Sequence, residues 1–113
     1  MHSIGFLTIV DFDEAPAVLR CRGDEDRSTQ GSRRQALVRA LRAQADVTVD
    51  LSELRFADAS LMLDLAMLAR RLRAHGRAVL LRGPQPQIRT LIELVGLHRL
   101  PGVRVDGPPH AIV

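Results

Sequence analysis

The sequence predicts an α/β layer protein with its elements in the order ββαβαβαβ. An antiparallel hairpin is expected at one side of an otherwise parallel sheet. Three observations lead there. Short runs rich in β-branched residues alternate with longer stretches whose apolar residues recur at helical spacing. Two of those longer stretches are closed by glycines, Gly76 and Gly96, at the expected carboxyl-terminal position. Strand–helix–strand units of this length favour parallel pairing through right-handed crossovers.

Taken in order, "IGFLTIV" (4–10) reads as a strand and "DFDEAP" as a turn, with Asp13 and Pro16 as breakers. "AVLRCR" (17–22) is a second strand, hairpin-paired with the first and ended by Gly23; "DEDRST" then forms an acidic loop. A helix starts near Ser28 or Thr29, either of which can cap an orphan N–H. Its apolar stripe is Leu37, Val38, Leu41 and Ala45; Arg33, Arg34, Arg39 and Arg42 fill the rest, with Arg33-Arg34 expected on a solvated face. "VTVDLSEL" (47–54) alternates as a strand should. A second helix runs from about Ser60 to His75, and "RAVLLR" (77–82) is a strand with an apolar centre. Pro86 suits the first turn of a third helix with the stripe Ile88, Leu91, Ile92 and Val95. A short strand, "VRV" (103–105), precedes the Pro-rich tail "DGPPHAIV" (106–113).

Composition bounds the function. At 113 residues the chain has the length of one domain, 1–113, with 46% hydrophobic and 26% charged residues. No apolar run approaches the ~20 residues of a membrane-spanning helix. "MHSIGFLTIV" has no Lys or Arg ahead of its apolar stretch, against a secretory signal. The lone Cys21 supports neither an internal disulfide nor a metal site, and a reducing cytoplasm is the expected setting. Net charge is only +3; all 16 basic residues are Arg, scattered along the chain, and every aromatic is Phe. Nucleic-acid binding is not expected from that pattern.

The second helix has two unequal faces. Leu61, Leu65, Leu68 and Leu72 fall together as the sheet-facing stripe, and Asp64, Arg71 and His75 share a polar side. Leu63, Met67 and Ala74, bordered by Arg70 and Arg71, turn away from the main stripe. They are either a small docking patch or a surface covered by a neighbouring element. Ser60 stands where the preceding loop becomes this helix. It is an N-cap, worth ~1 kcal/mol, or the acceptor of a phosphate that would face free N–H groups and the positive end of the helix dipole. Such a group adds nearly two negative charges beside the patch and would repel an acidic partner surface.

The run from "VTVDLSEL" to "VGLHRL" resembles the central part of STAS domains, specifically the bacterial anti-sigma factor antagonists. The matching pieces are Asp50-Leu51-Ser52, Asp58-Ala59-Ser60, Arg89, Leu91, Leu94, Gly96 and Leu97, and "GDEDRST" resembles the family's G-x-x-D segment, which places Asp26. The resemblance spans about 17–105 and is strongest over 47–100. It implies a STAS-like fold: a mixed sheet of about four to five strands with helices packed mainly on one face. It also implies a regulator and not an enzyme, phosphorylated at Ser60 by a serine kinase that holds a sigma factor inactive. The unphosphorylated form would bind that kinase and free the sigma factor, and a PP2C-type phosphatase would reset it. The partner surface so implied comprises Asp24, Asp26, Ser28, Asp58, Ala59, Leu61, Leu63, Asp64, Met67, Arg70 and Arg71, on a monomer or weak dimer. Three departures stand out: Leu61 in place of the usual Gly, Ala59 in place of the first Ser, and a tail in which Pro108 and Pro109 preclude a helix.

No cofactor is called for. His75 suits the negative dipole end of the second helix, a structural role; His2, His98 and His110 lack ligand spacing, and no Walker loop, G-x-S-x-G or Cys/His pair occurs. Two other readings remain beside the phospho-switch. One is a constitutive STAS interaction module, such as a lipid-transport ATPase subunit or a stressosome-like scaffold. The other is a small-molecule sensor with a pocket beside the exposed sheet face.

Overall fold

The computed structural model describes residues 8–106. Five strands form one sheet in the spatial order β1-β2-β3-β4-β5: Thr8–Glu14, Ala17–Glu25, Val47–Ala57, Val79–Arg82 and Val103–Asp106. The first pair is antiparallel and every later pair parallel. Each parallel step is bridged by a helix: α1 (Gln30–Leu41), α2 (Ala59–Ala74) and α3 (Pro86–Val95). The expected order and the hairpin at the sheet's side are therefore present. The first residues of the strand expected at 4–10, and nearly all of the Pro-rich tail, lie outside the described residues.

Alternation explains which face the helices cover. Along β2, Ala17, Leu19, Cys21 and Glu25 are buried while Arg20 and Arg22 are not; along β3, Val47, Val49, Leu51, Leu54 and Ala57 are buried. The apolar ones among these meet Ala36, Leu37 and Ala40 of α1, Leu61, Met62, Leu65, Leu68, Ala69 and Leu72 of α2, and Ile88 and Ile92 of α3 in one core. Fully burying each Val, Leu, Ile or Met there contributes roughly 1.5–3 kcal/mol. The opposite face carries charge pairs, Arg20 with Asp11 and Asp13, Arg22 with Glu53, and Arg82 with Asp50.

Several boundaries differ from the sequence reading. β1 continues through "DFDE", and the turn shrinks to Ala15-Pro16. Phe12 enters the core while Asp11 and Asp13 are held by Arg20 across the hairpin, so acidic residues complete the strand's alternation. β2 does not stop at Gly23. It runs to Glu25, with Gly23 at φ 71° beside a register shift, a bulge conformation in which a Cβ would be strained. β3 lengthens to match, pairing Glu25 with Ala57.

The first helix also differs. A 3-10 turn, Arg27–Thr29, precedes α1, and Asp26 caps it instead of Ser28 or Thr29. α1 buries Arg33, Ala36, Leu37 and Ala40; Val38 is 37% exposed and Ala45 lies beyond the helix end. The buried face is turned from the expected stripe because an arginine, Arg33, occupies one of its positions. α3 begins at Pro86 as expected and ends at Gly96, whose φ of 79° closes the helix in the left-handed conformation.

Candidate functional site

The extra length of β2 and β3 builds the site. Their adjacent carboxyl ends bring segment 24–29 against the amino end of α2: the Asp58 N–H donates to the Glu25 carbonyl at 3.1 Å, and the Arg27 N–H donates to Asp58 Oδ2 at 3.1 Å. Asp58, and not Ser60, is the helix N-cap. Its Oδ1 accepts the Ser60 N–H at 2.8 Å and the Ser60 hydroxyl at 2.6 Å. Ser60 is therefore the second helical residue, and its own oxygen is free of capping duty. The same Asp-x-Ser geometry recurs at Asp26/Ser28 (2.8 and 2.6 Å) and at Asp50/Ser52 (3.0 and 2.7 Å).

What separates Ser60 from those look-alikes is Arg33. This side chain is 1% exposed, against its expected place on a solvated face. Its Nη2 donates to Ser60 Oγ at 2.9 Å, and its Nε to Asp64 Oδ2 at 2.8 Å. Nη1 reaches Glu25 Oε1 and the Asp26 carbonyl, both at 3.1 Å, and Thr29 Oγ1 at 3.3 Å. One guanidinium thus ties α1, the end of β2, segment 24–29 and the first turns of α2. A buried arginine needs such company, since an unpaired charge there is costly.

The acids around it respond differently. Burial raises the Glu25 carboxyl above its ordinary range, opposed by hydrogen bonds from Thr29 and Arg33. The Ser60 hydroxyl, followed by the backbone N–H groups of Ser60 and Arg27, holds Asp58 below the usual range. Ser28 does the same for Asp26. The Cys21 thiol, buried and pushed up by desolvation, is chemically quiet.

The residues expected at a partner surface divide into three sets. Asp24, Ser28, Ala59, Leu63, Met67, Arg70 and Arg71 are exposed, Leu63 by 70%, although Asp24 is paired with Arg55 at 3.6 Å. Asp26, Asp58, Asp64 and Ser60 are half-buried, and the Asp64 carboxylate is committed to Arg33. Leu61 is the correction: at 0% exposure it is in the core, because the third helical residue points towards the sheet, and it lies on no docking surface.

Spacing along α2 now acquires meaning. Ser60, Leu63, Met67, Arg70 and Ala74 follow one another at three- and four-residue steps on the side away from the core, with Arg71 beside them. Of the two sequence alternatives for Leu63 and Met67, no neighbouring element covers them among the described residues. A groove of about 180 Å³ flanks them on the α3 side, lined by Met62, Leu63, Ala66, Val95, Leu97 and Leu100. A second, of about 260 Å³, lies on the α1 side between Leu37, Val38 and Met67. Sequence reasoning missed two residues here. Arg33 could have been suspected from its position four residues before Leu37, on that residue's face. Phe56, 52% exposed at the end of β3, was legible as the one Phe in the loop-proximal run "LRFADAS".

Among the described residues no group of three or more His, Cys, Asp or Glu side chains could hold a metal ion, and no helix is long and apolar enough to cross a membrane.

Residues 9–104 match the family model described as "Mlab, STAS domain". No curated protein matches the chain in sequence. Among solved structures, the anti-sigma factor antagonist SpoIIAA in its unphosphorylated form is similar with a TM-score of 0.70 at 21% identity, over 88% of this chain and 89% of that one. The Bacillus cell fate determinant SpoIIAA in its phosphorylated form is similar with a TM-score of 0.63 at 22% identity, over 89% and 91%. At such identities the likeness is one of fold.

Proposed function

Because the chain belongs to the Mlab STAS-domain family, we propose that it works as a protein-docking switch of the anti-sigma factor antagonist kind. In this reading the unphosphorylated protein binds a serine-kinase anti-sigma factor through segment 24–29 and the exposed face of α2, releasing a sigma factor. Phosphorylation of Ser60 ends the complex, and a PP2C-type phosphatase restores it. The chain acts as substrate and ligand, with no catalysis of its own.

One observation carries the proposal: Ser60 heads the same exposed stripe of α2 that presents Leu63 and Met67. A modification there sits at the edge of the contact area and not elsewhere on the domain. The chemistry is available at that oxygen. Its proton already lies on the bond to Asp58, and a hydroxyl has two lone pairs, of which Arg33 takes one. In the transfer, Oγ bonds to the γ-phosphorus of ATP, the bond from that phosphorus to the bridging oxygen breaks, ADP leaves, and the hydroxyl proton passes to a base. The product carries roughly −1.5 to −2 charges at pH 7, next to Asp58 and Asp26. An acidic contact surface on the partner would be repelled. That SpoIIAA is known in both phosphorylated and unphosphorylated forms supports a fold able to carry the group.

The test is incubation with the cognate kinase and ATP, followed by intact-mass and peptide mapping. One phosphate at Ser60, and a Ser60→Asp variant that binds the kinase at least tenfold more weakly, are expected. No incorporation, together with unchanged binding of Ser60→Asp, contradicts the switch.

A second reading is favoured by the two hydrogen bonds that tie Ser60 Oγ and by the burial of Leu61 where the family usually has Gly. There the same face docks constitutively, as in an ATPase subunit or a scaffold. Co-purification with an ATPase and without a kinase–sigma pair selects it.

A further inference from the structure

We propose that Arg33 is the positioning residue that reads the state of Ser60 and passes it to segment 24–29, so that the two halves of the docking surface respond as one. The inference rests on Ser60 being the modified residue.

The wiring is direct. One edge of the guanidinium, Nη2, is on Ser60 Oγ, and another, Nη1, is on Glu25 and the Asp26 carbonyl. Asp24 and Glu25 are held in the sheet by their pairing with Phe56 and Ala57, by the Asp58 N–H on the Glu25 carbonyl and by the Asp24–Arg55 ion pair. Beyond Glu25 the bonds within 26–29 are short-range ones, Ser28 N–H to Asp26, Thr29 N–H to the Asp26 carbonyl and Asp26 N–H to Thr29, with Arg27 N–H to Asp58 and Arg33 Nη1 to the Asp26 carbonyl the links outward. A phosphoryl group on Ser60 offers the guanidinium fork a dianion with three acceptor oxygens, a better partner than a neutral hydroxyl. It also crowds Asp58, the other acceptor that segment 24–29 uses. Arg33 turned to the phosphate gives up Glu25, which is 1% exposed and has no water to replace the lost cation. The turn 26–29, which loses the Arg33 bonds to the Asp26 carbonyl and Thr29, then loosens, and Asp26 and Ser28 move with it while Asp24 and Glu25 keep their backbone pairing to β3.

Ser28 supplies the internal control. It repeats the bond to the preceding Asp, 2.6 Å from its own Oγ, and it is exposed, but Arg33 donates to Ser60. A phosphate at Ser28 therefore adds the same charge within the same segment without calling on the guanidinium.

The experiment uses the full chain with phosphoserine encoded at position 60 or 28, which needs no kinase, and reads amide hydrogen exchange. Phosphoserine 60 is expected to speed exchange of the 26–29 amides at least fivefold and to shift the Arg33 Nε resonance. Arg33→Lys, which keeps the charge but not the fork, should reduce the effect to less than twofold. Glu25→Gln, which removes the carboxylate that Arg33 abandons, should shrink it as well and stands in if the lysine variant does not fold. Phosphoserine 28 should leave the Arg33 resonance in place. Exchange at 26–29 unchanged by phosphoserine 60, or raised equally in the parent and in both variants, overturns the proposal. Failure of the two readings is distinguishable: lost kinase binding without a loop response sinks the relay alone, and a loop response with undiminished binding sinks the switch alone.

Discussion

Arg33 and Ser60, 27 residues apart in sequence, are joined by a 2.9 Å hydrogen bond from guanidinium to hydroxyl. That bond links the helix after β2 to the helix after β3, and it distinguishes Ser60 from the two other serines that follow an Asp-x step. The amino end of α2 is therefore not an isolated cap. It is one wall of a charged cluster whose centre is buried.

The energetic prediction concerns that centre. Arg33→Met strips the buried Glu25 and the half-buried Asp64 of their cation, and should cost about 3–5 kcal/mol of unfolding free energy. Adding Glu25→Gln removes the stranded charge and should recover a substantial part of the loss. Urea denaturation of the parent, both single variants and the double variant measures the coupling. A double variant as unstable as the sum of the singles would mean the pair is not coupled.

Neighbouring leucines on α2 should behave oppositely. Leu61→Ala opens a cavity in the core and should cost about 2–5 kcal/mol. Leu63→Ala, at a position 70% exposed, should change stability by no more than about 0.5 kcal/mol. The order reverses for docking: Leu63→Ala should weaken partner binding several-fold in a protein that melts at the parental temperature. Thermal melts and a binding isotherm on the same preparations decide it.

The Asp58 cap carries a pH signature. Its carboxyl is held below the usual aspartate range, chiefly by the Ser60 hydroxyl, so the unfolded chain binds the proton more tightly than the native one. The stability so contributed is complete above the ordinary aspartate value of ~3.9 and is lost as pH falls through the lower native value. Asp58→Ala should cost about 1 kcal/mol at pH 7, and the difference from the parent should narrow on acidification. Glu25 titrates with the opposite sign, its native value raised by burial, but it is common to both proteins and cancels in the comparison. A gap that stays constant into acid would contradict the assignment.

Much of this was written in local pattern. The strand and helix order followed from hydrophobic period, and Gly96 and Pro86 marked the ends of α3 because backbone chemistry at those positions is local. Two of the departures share one cause, that charge reads as exposure in a sequence. "DFDE" continues β1 because Arg20 neutralises its acids from the next strand, and Arg33 is buried because Glu25 and Asp64 converge on it from two other elements. Pairings across 8 to 31 residues have no signature in a single sequence. For Leu61 the family resemblance implies the docking surface and the helical period implies the core stripe, and its full burial follows the period.

The central claim is that the chemical state of Ser60 sets the affinity of the α2 face for its partner. The most direct measurement is calorimetric titration of the cognate kinase-type anti-sigma factor with the full chain carrying serine or phosphoserine at position 60. The account predicts a Kd at least tenfold weaker for the phosphorylated chain, with an unchanged fold by circular dichroism. Equal affinities for the two forms would contradict it.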